Sequence, residues 1–381
     1  MVVTKIPLIL QWMITKLAYF SSSTSWGGLE MNILRYAKWM RDRGHLVIVI
    51  GVHNSRLVVE AEALNIPTLL VQKQKKYYDF NKAKHLASIL KENGVSHLVI
   101  RSTYDMSILA SVKRKLKDKV TTCYIMAMQL GVKKTNFLHT LRYRYLDIWV
   151  SPLPWLKKQV EEMTHFKNEL VLIPLGLELE KFNTICSRED ARKELNLPYK
   201  NLTFGLIGRF DIQKGQLLLL EAMKKSKNKD YNIVLLGEPT MNEGDDYFKQ
   251  IKTITSSPEI KKRVFIRPFR SDVTSFYSAI DWTVMATKTE TFGMVTIESL
   301  ACGTPVLGSN AGGTPELLEH EKGGVLFETM NSDDLANKID AIIEAELKLD
   351  PDVLRQMVKK YDHSNFCRQF EIALKIKSIK E

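Results

Sequence analysis

The chain has 381 residues, 45% of them hydrophobic and 26% charged, which is enough to bury two cores and excludes a disordered or low-complexity chain. Its four cysteines, Cys123, Cys186, Cys302 and Cys367, show neither C-x-x-C nor Cys/His spacing, so no disulfide framework or zinc site is expected and a reducing cytoplasm is implied. The net charge of +12 lies in residues 1–180, which hold 26 Lys and Arg against 14 Asp and Glu, while the remainder balances at 29 against 29.

Met1 to Phe20 imitates a signal peptide, with Lys5 ahead of the apolar run Ile6 to Ile14. The run is under about ten residues, no small-residue cleavage site follows, and it is too short to span a bilayer. Residues 1–12 therefore read as a dispensable extension, with Met13 a candidate start. Leu17 to Phe20 is predicted as the first strand and Ser21 to Trp26 as a loop. Gly27-Gly28-Leu29-Glu30 then opens a helix with apolar Ile33, Leu34, Ala37 and Met40, and Leu46 to Ile50 is the second strand. A glycine turn between first strand and first helix is where a doubly wound sheet binds phosphate. Because G-x-G-x-x-G is absent, a dinucleotide-dependent dehydrogenase loses support.

Further strands at Thr68 to Val71, His97 to Arg101, Thr121 to Met126 and Ile148 to Ser151 alternate with helical stretches, the rhythm of a parallel sheet. The densest basic run is Lys113-Arg114-Lys115 with Lys117 and Lys119, ahead of Lys133, Lys134, Arg142 and Arg144. Such a surface either attracts anionic lipid or phosphorylated substrates or is simply a solvated helix face. Aromatics for base stacking are not interleaved there, which counts against a nucleic-acid partner.

Val171 to Pro174 leads to Gly176, where the boundary between two domains is placed. A helix around Arg188 to Leu195 precedes a strand, Leu202 to Ile207, that ends in Gly208-Arg209-Phe210, and Lys214-Gly215 opens the next helix. Arg209 offers a planar fork and Lys214 a point charge, a pair able to grip a diphosphate and offset the charge that builds as it leaves. Strands follow at Ile233 to Gly237, Val264 to Arg267 and Trp282 to Ala286.

The densest functional signal runs from Thr287 to Glu316. Glu290 sits in a loop that feeds a helix from Gly293, with Met294, Val295, Ile297, Leu300 and Ala301 at helical spacing. The unpaired N–H groups at such a helix start suit a phosphate, and glycine lets backbone approach a ligand closely. Glu298 lies further along the same helix, and both carboxylates can accept hydrogen bonds from sugar hydroxyls. Val306 to Ser309 is another strand, followed by a second glycine turn, Ala311-Gly312-Gly313-Thr314-Pro315-Glu316. Leu335 to Leu347 and Ser364 to Ile379 read as helices. The one D-x-D string, Asp350-Pro351-Asp352, reads as a helix start capped by Asp350, so no metal site is expected.

The stretch from Glu290 through Phe292-Gly293 to Glu298, followed by Ala311-x-Gly313-x-Pro315, resembles the sugar-nucleotide site of glycosyltransferase family 4, retaining transferases of the GT-B fold with an E-x7-E signature. The resemblance covers nearly the whole chain after residue 13. It implies two Rossmann-like doubly wound domains facing across a cleft: residues 1–176 on the acceptor side, 177–360 binding the nucleotide sugar, and a helix in 361–381 crossing back onto the first domain. It implies that Arg209, Lys214 and Glu290 are catalytic, and that Gly208, Arg267, Phe292, Gly293, Met294, Val295 and Glu298 bind the donor. Glu290 would meet the donor sugar and Glu298 the ribose, while Gly27 and Gly28 let backbone approach the diphosphate. No cofactor or metal is implied, because the nucleotide sugar is itself a substrate.

One departure stands out. The family often carries a histidine after the strand corresponding to Thr121 to Met126, where this chain reads Met126-Ala127-Met128-Gln129-Leu130-Gly131. Gln129 can hydrogen-bond a sugar but cannot accept a proton, and Met128 is expected to pack. His53 and His139 are given structural roles. The expected enzyme moves a sugar to a hydroxyl of a glycan or lipid-linked acceptor in cell-envelope polysaccharide synthesis. It would be cytoplasmic, with peripheral contact to anionic membrane through its basic domain. The alternative is an inactive donor-binding subunit that supports another transferase.

Overall fold

The computed structural model describes residues 15–183, 186–239 and 245–378, so the expected extension over residues 1–12 lies outside the described residues. The chain forms two units: Met1–Leu175 together with His363–Glu381, and Gly176–Asp362.

Unit 1 carries a parallel sheet of seven strands in the order β3-β2-β1-β4-β5-β6-β7. These are β1 (Lys16–Phe20), β2 (Leu46–Val52), β3 (Thr68–Val71), β4 (His97–Ile100), β5 (Thr121–Ile125), β6 (Ile148–Ser151) and β7 (Glu169–Leu172). The helices between them are α1 (Gly28–Asp42), α2 (Arg56–Ala63), α3 (Phe80–Glu92), α4 (Met106–Leu116), α5 (Phe137–Tyr143) and α6 (Pro154–Met163). The central strands are predominantly apolar and buried, Thr121 alone of β4 to β6 being partly exposed, as strands covered by helices on both sides must be.

Unit 2 has six parallel strands in the order β10-β9-β8-β11-β12-β13. They are β8 (Leu202–Ile207), β9 (Tyr231–Leu236), β10 (Val264–Arg267), β11 (Trp282–Met285), β12 (Val306–Ser309) and β13 (Gly324–Phe327). Its helices are α7 (Arg188–Glu194), α8 (Gln216–Lys225), α9 (Asp245–Thr255), α10 (Thr274–Ala279), α11 (Met294–Ala301), α12 (Thr314–Leu317), α13 (Ser332–Glu344) and α14 (Pro351–Val358). The core gathers Phe204, Leu219, Ile233, Trp282, Leu307 and Ile339 from both sheet and helices. Pro351 does open a helix, and the Asp350 carboxylate accepts from the Asp352 N–H.

In each sheet the strand order reverses between two neighbours, β1 and β4 in unit 1 and β8 and β11 in unit 2. Loops leaving the carboxyl ends of such a pair diverge to opposite faces and open a crevice, the usual ligand position in a doubly wound sheet.

The final helix, α15 (His363–Leu374), is shorter than the sequence pattern implies and packs within unit 1. Phe366 stacks on Tyr36 of α1 with ring centroids 4.5 Å apart. Glu371 accepts from Arg43 at 2.7 Å and lies 2.8 Å from His45. Burial pushes the Glu371 carboxyl up, but the hydrogen bonds from Arg43 and His45 outweigh it and hold the group below its ordinary range. Removing one member of a buried charge cluster strands the others. Glu371→Ala is therefore expected to destabilise unit 1 by about 3–5 kcal/mol in urea titrations. The stability from this depressed carboxylate is present above its unfolded pKa and is lost as pH falls through the folded one, so wild type and variant should converge in acid.

Candidate functional site

The switch point of unit 2 is built by backbone approaching backbone. Gly208, with φ +152°, ends β8, and Gly237, also at φ +152°, ends β9. A Cβ on Gly237 would lie 2.0 Å from the Gly208 carbonyl oxygen. Gly215 starts α8 at φ +74°, and a Cβ there would fall 2.1 Å from the Ala286 oxygen at the end of β11. Both turns need the left-handed region and no side chain, so glycine is required twice over.

The chain leaving β11 carries Glu290, and its backbone is fastened by the second glycine turn. Gly313 N–H donates to the Glu290 carbonyl at 2.8 Å. Gly312, at φ +60°, sits where a Cβ would meet that same oxygen at 2.1 Å. Gly293, at φ +97°, opens α11 without a side-chain cap. The helix start therefore lies beside the Glu290 side chain, whose Cγ would be 3.3 Å from a Cβ on Gly293.

These constraints bring Lys214 and Glu290 together. Lys214 Nζ donates to Glu290 Oε2 at 3.2 Å, joining the loops after β8 and β11. Asp211 orders the Lys214 turn by accepting from the N–H groups of Gln213 and Lys214. Both side chains of the pair are partly exposed, and a pair so placed contributes only about 0–1 kcal/mol. Its significance is positional: an ammonium and a carboxylate stand side by side at the mouth of a helix.

Arg209 lies largely in solvent, 3.5 Å from Asp211, and its carbonyl accepts from Gln216. Glu298 sits one helical turn inside α11, where its Oε2 accepts from the Tyr277 hydroxyl at 3.1 Å. Burial first, and then the Glu298 charge, push the Tyr277 phenol well above its ordinary value, so it stays a donor. Sequence reasoning missed Tyr277 because a buried aromatic on a short helix reads as core.

Two of the expected donor-binding residues have side chains engaged within unit 2, and the expectation for Met128 is corrected. The Arg267 guanidinium donates to the Leu195 and Asn196 carbonyls at 2.5 and 2.6 Å and so caps α7, while the resemblance assigns the donor contact to the backbone at the end of β10. The Phe292 ring is buried edge-on against Tyr361. Met128 was expected to pack but is 65% exposed, because β5 ends at Ile125 and the chain has left the sheet before reaching it. Met294 and Val295, in the first turn of α11, are partly buried.

Gly27, Gly28 and Gln129 belong to unit 1. The Gly27 N–H already donates to Glu30 at 3.1 Å, whereas nothing lies within 4 Å of where a Gly28 Cβ would stand. His139 is stacked on Tyr143 and accepts from Arg142, a structural role, and His53 is exposed beyond β2.

The switch point of unit 1 is filled by protein. Asp105, beyond β4, is 1% exposed and accepts from the Ser22 hydroxyl beyond β1 and from Gln74 at 2.7 Å. Burial drives its pKa up to about 7 against the lowering hydrogen bonds from Ser22 and Gln74, with Glu30 adding to the rise. A carboxyl raised in the folded state stabilises below its unfolded pKa, and that stability is lost as pH climbs through the folded value. Asp105→Asn should therefore flatten the fall in unfolding free energy between about pH 4 and 7, where wild type loses up to about 1.4 kcal/mol per pH unit in urea titrations.

Two Rossmann-like units, each an all-parallel sheet with a reversal at its centre, define a GT-B fold. Residues 187–361, almost the whole of unit 2, match the family described as glycosyl transferases group 1, a match that supports this family and a transferase activity. The chain is 22% identical over 333 residues to an uncharacterised glycosyltransferase of Methanocaldococcus jannaschii, covering 84% of this chain and 86% of that protein. It is 25% identical over 218 residues to a UDP-Gal:alpha-D-GlcNAc-diphosphoundecaprenol alpha-1,3-galactosyltransferase of Escherichia coli, covering 56% of this chain and 53% of that protein. Other curated relatives, such as the D-inositol 3-phosphate glycosyltransferase of Corynebacterium jeikeium, are also spanned over about half their length or less, here 43%. The fold is similar to that of Anabaena Alr3699/HepE in complex with UDP, with a TM-score of 0.80 at 21% identity over 95% of this chain and 100% of that one.

Proposed function

We propose that this protein is a retaining glycosyltransferase of family 4 that moves a sugar from a nucleotide donor to a hydroxyl of a glycan or lipid-linked acceptor in cell-envelope polysaccharide synthesis. The observation that carries this reading is the 3.2 Å approach of Lys214 to Glu290 at the switch point of unit 2, beside the uncapped start of α11. Support for the donor class comes from the similarity to a UDP-bound fold, and for the acceptor class from the Escherichia coli relative, whose name specifies a diphosphoundecaprenol-linked sugar.

On this reading the donor's diphosphate displaces the Lys214 ammonium from Glu290 and takes it as a counterion, with Arg209 swinging in from solvent. Glu290 is thereby freed to accept hydrogen bonds from the sugar's hydroxyls, and Glu298, held by Tyr277, accepts from the ribose. The acceptor oxygen attacks the anomeric carbon on the face the diphosphate leaves, and the acceptor's proton passes to the departing phosphate oxygen. Lys214 and Arg209 stabilise the charge that develops, so the reaction proceeds without a metal. The basic unit 1 faces an anionic membrane from the cytoplasmic side.

Lys214→Ala should reduce turnover by about 10²-fold or more, with activity of the wild type unchanged by EDTA, because the lost interaction strengthens as the leaving group gains charge. A change confined to donor affinity would reduce Lys214 to a binding role. Pure wild-type protein that binds a nucleotide sugar but neither transfers nor hydrolyses it would instead favour an inactive donor-binding subunit.

The two glutamates should fail differently. Glu298→Gln is expected to weaken free nucleoside diphosphate and nucleotide sugar alike, by about 1.5–3 kcal/mol. Glu290→Gln should leave affinity for the free diphosphate nearly unchanged while lowering turnover, since it touches only the transferred sugar. Isothermal titration beside initial rates separates the cases, and equal loss of diphosphate affinity in both variants would reverse the assignment.

A further inference from the structure

On unit 1 a groove of about 470 Å³ runs between α3, α4 and α5. Its walls are apolar, with Phe80, Ala110, Leu138 and Leu141 among them, and Arg114 and Arg142 also line it. Around it the surface is unusually hydrophobic: Phe80 is 62%, Phe137 76% and Leu138 53% exposed. Large side chains clustered in water mark an interaction site.

Arg142 decides what kind of site. It is 6% exposed, with its guanidinium over the Tyr77 ring. Its hydrogen bonds go to the Leu138 carbonyl, the Ser107 hydroxyl and the His139 ring, all neutral acceptors. An imidazole is neutral or cationic and so supplies no counter-charge to Arg142; burial and the nearby Arg142 and Lys134 charges lower the His139 pKa, which favours the neutral, accepting ring. No carboxylate pairs with Arg142 or with Arg114 among the described residues. A buried cation held only by neutral groups is costly, and an anion entering the groove would remove that cost. The exposed Lys75 and Lys76 beside Tyr77 add to the positive field.

An apolar groove with unpaired guanidinium groups fits a ligand that is hydrocarbon at one end and anionic at the other. We propose that this groove seats an anionic phospholipid of the bilayer, its chain against Phe80 and Leu141 and its phosphate on Arg114 and Arg142, while Phe137 and Leu138 enter the interface. This deepens the membrane contact proposed above and assigns it to one surface of unit 1. Specificity follows from the pair of arginines, since a zwitterionic headgroup offers no net charge to compensate them.

The test is co-sedimentation of the full chain with phosphatidylcholine vesicles, with and without phosphatidylglycerol. Binding is expected only with the anionic lipid, weakened about fivefold in Arg114→Gln and at least about tenfold in a Phe137→Ser, Leu138→Ser double variant. Both substitutions lie on the exposed surface, so folding is preserved, and thermal shifts with a nucleotide sugar should match wild type. Dihexanoyl-phosphatidylglycerol below its micelle concentration should raise the melting temperature of wild type but not of Arg142→Gln, and inorganic phosphate alone should do neither. Equal binding to both vesicles, or no loss in the double variant, would overturn the proposal. So would dimerisation in sedimentation velocity that the double variant abolishes, which would make a second copy of the chain the occupant. Absent lipid binding with donor binding intact refutes this inference alone, and absent donor binding with lipid binding intact refutes the transferase reading alone.

Discussion

Three contacts between main-chain atoms fix the carboxyl edge of the second sheet: Gly237 against Gly208, Gly215 against Ala286, and Gly312 against Glu290. Each leaves no room for a single methyl group, so the loops after β8, β9, β11 and β12 are clasped without any side chain between them. That closeness sets where the charged residues can stand. With its carbonyl pinned by Gly312 and Gly313, Glu290 has few positions for its carboxylate, and one of them meets Lys214. An ion pair worth about 0–1 kcal/mol could not impose this arrangement. The backbone imposes it, and the pair reports it.

The two units use the same topology for different ends. Where the second sheet leaves a cation and a carboxylate partly open at its switch point, the first closes the equivalent position with Asp105, Ser22 and Gln74, all buried. Its polar interest lies instead on the helices. There the surplus of basic residues is not a uniformly solvated face: Lys113 is tied to Asp147 at 2.8 Å, and Arg142 is drawn inside among aromatic rings. A basic stretch in sequence thus sorts in space into structural, buried and free charges, and only the last two kinds bear on a partner.

How much of this could be read beforehand depended on the distance along the chain. Alternating strands and helices, and the glycines at strand ends, are local patterns, so the two parallel sheets were legible. Glu290 and Lys214 were legible as well, each through its own motif, although their pairing joins residues 76 apart. Tyr277 was hidden, since the partner that gives it meaning lies 21 residues further on. Asp105 was hidden for the same reason, meeting Ser22 across 83 residues. Met128 went wrong because β5 ends at Ile125 and its apolar side chain found no core to enter.

The assembly of unit 1 from both ends of the chain has a consequence for how the protein is made. A ribosome releases residues in order, so β1 to β7 emerge early but lack α15, and Tyr36, Arg43 and His45 await the aromatic ring and carboxylate that cover them. Unit 2, complete at Asp362, has every strand and helix of its core before α15 has been synthesised. The part synthesised second can therefore finish folding first, and the earlier part is sealed only when the last turn of helix leaves the exit tunnel.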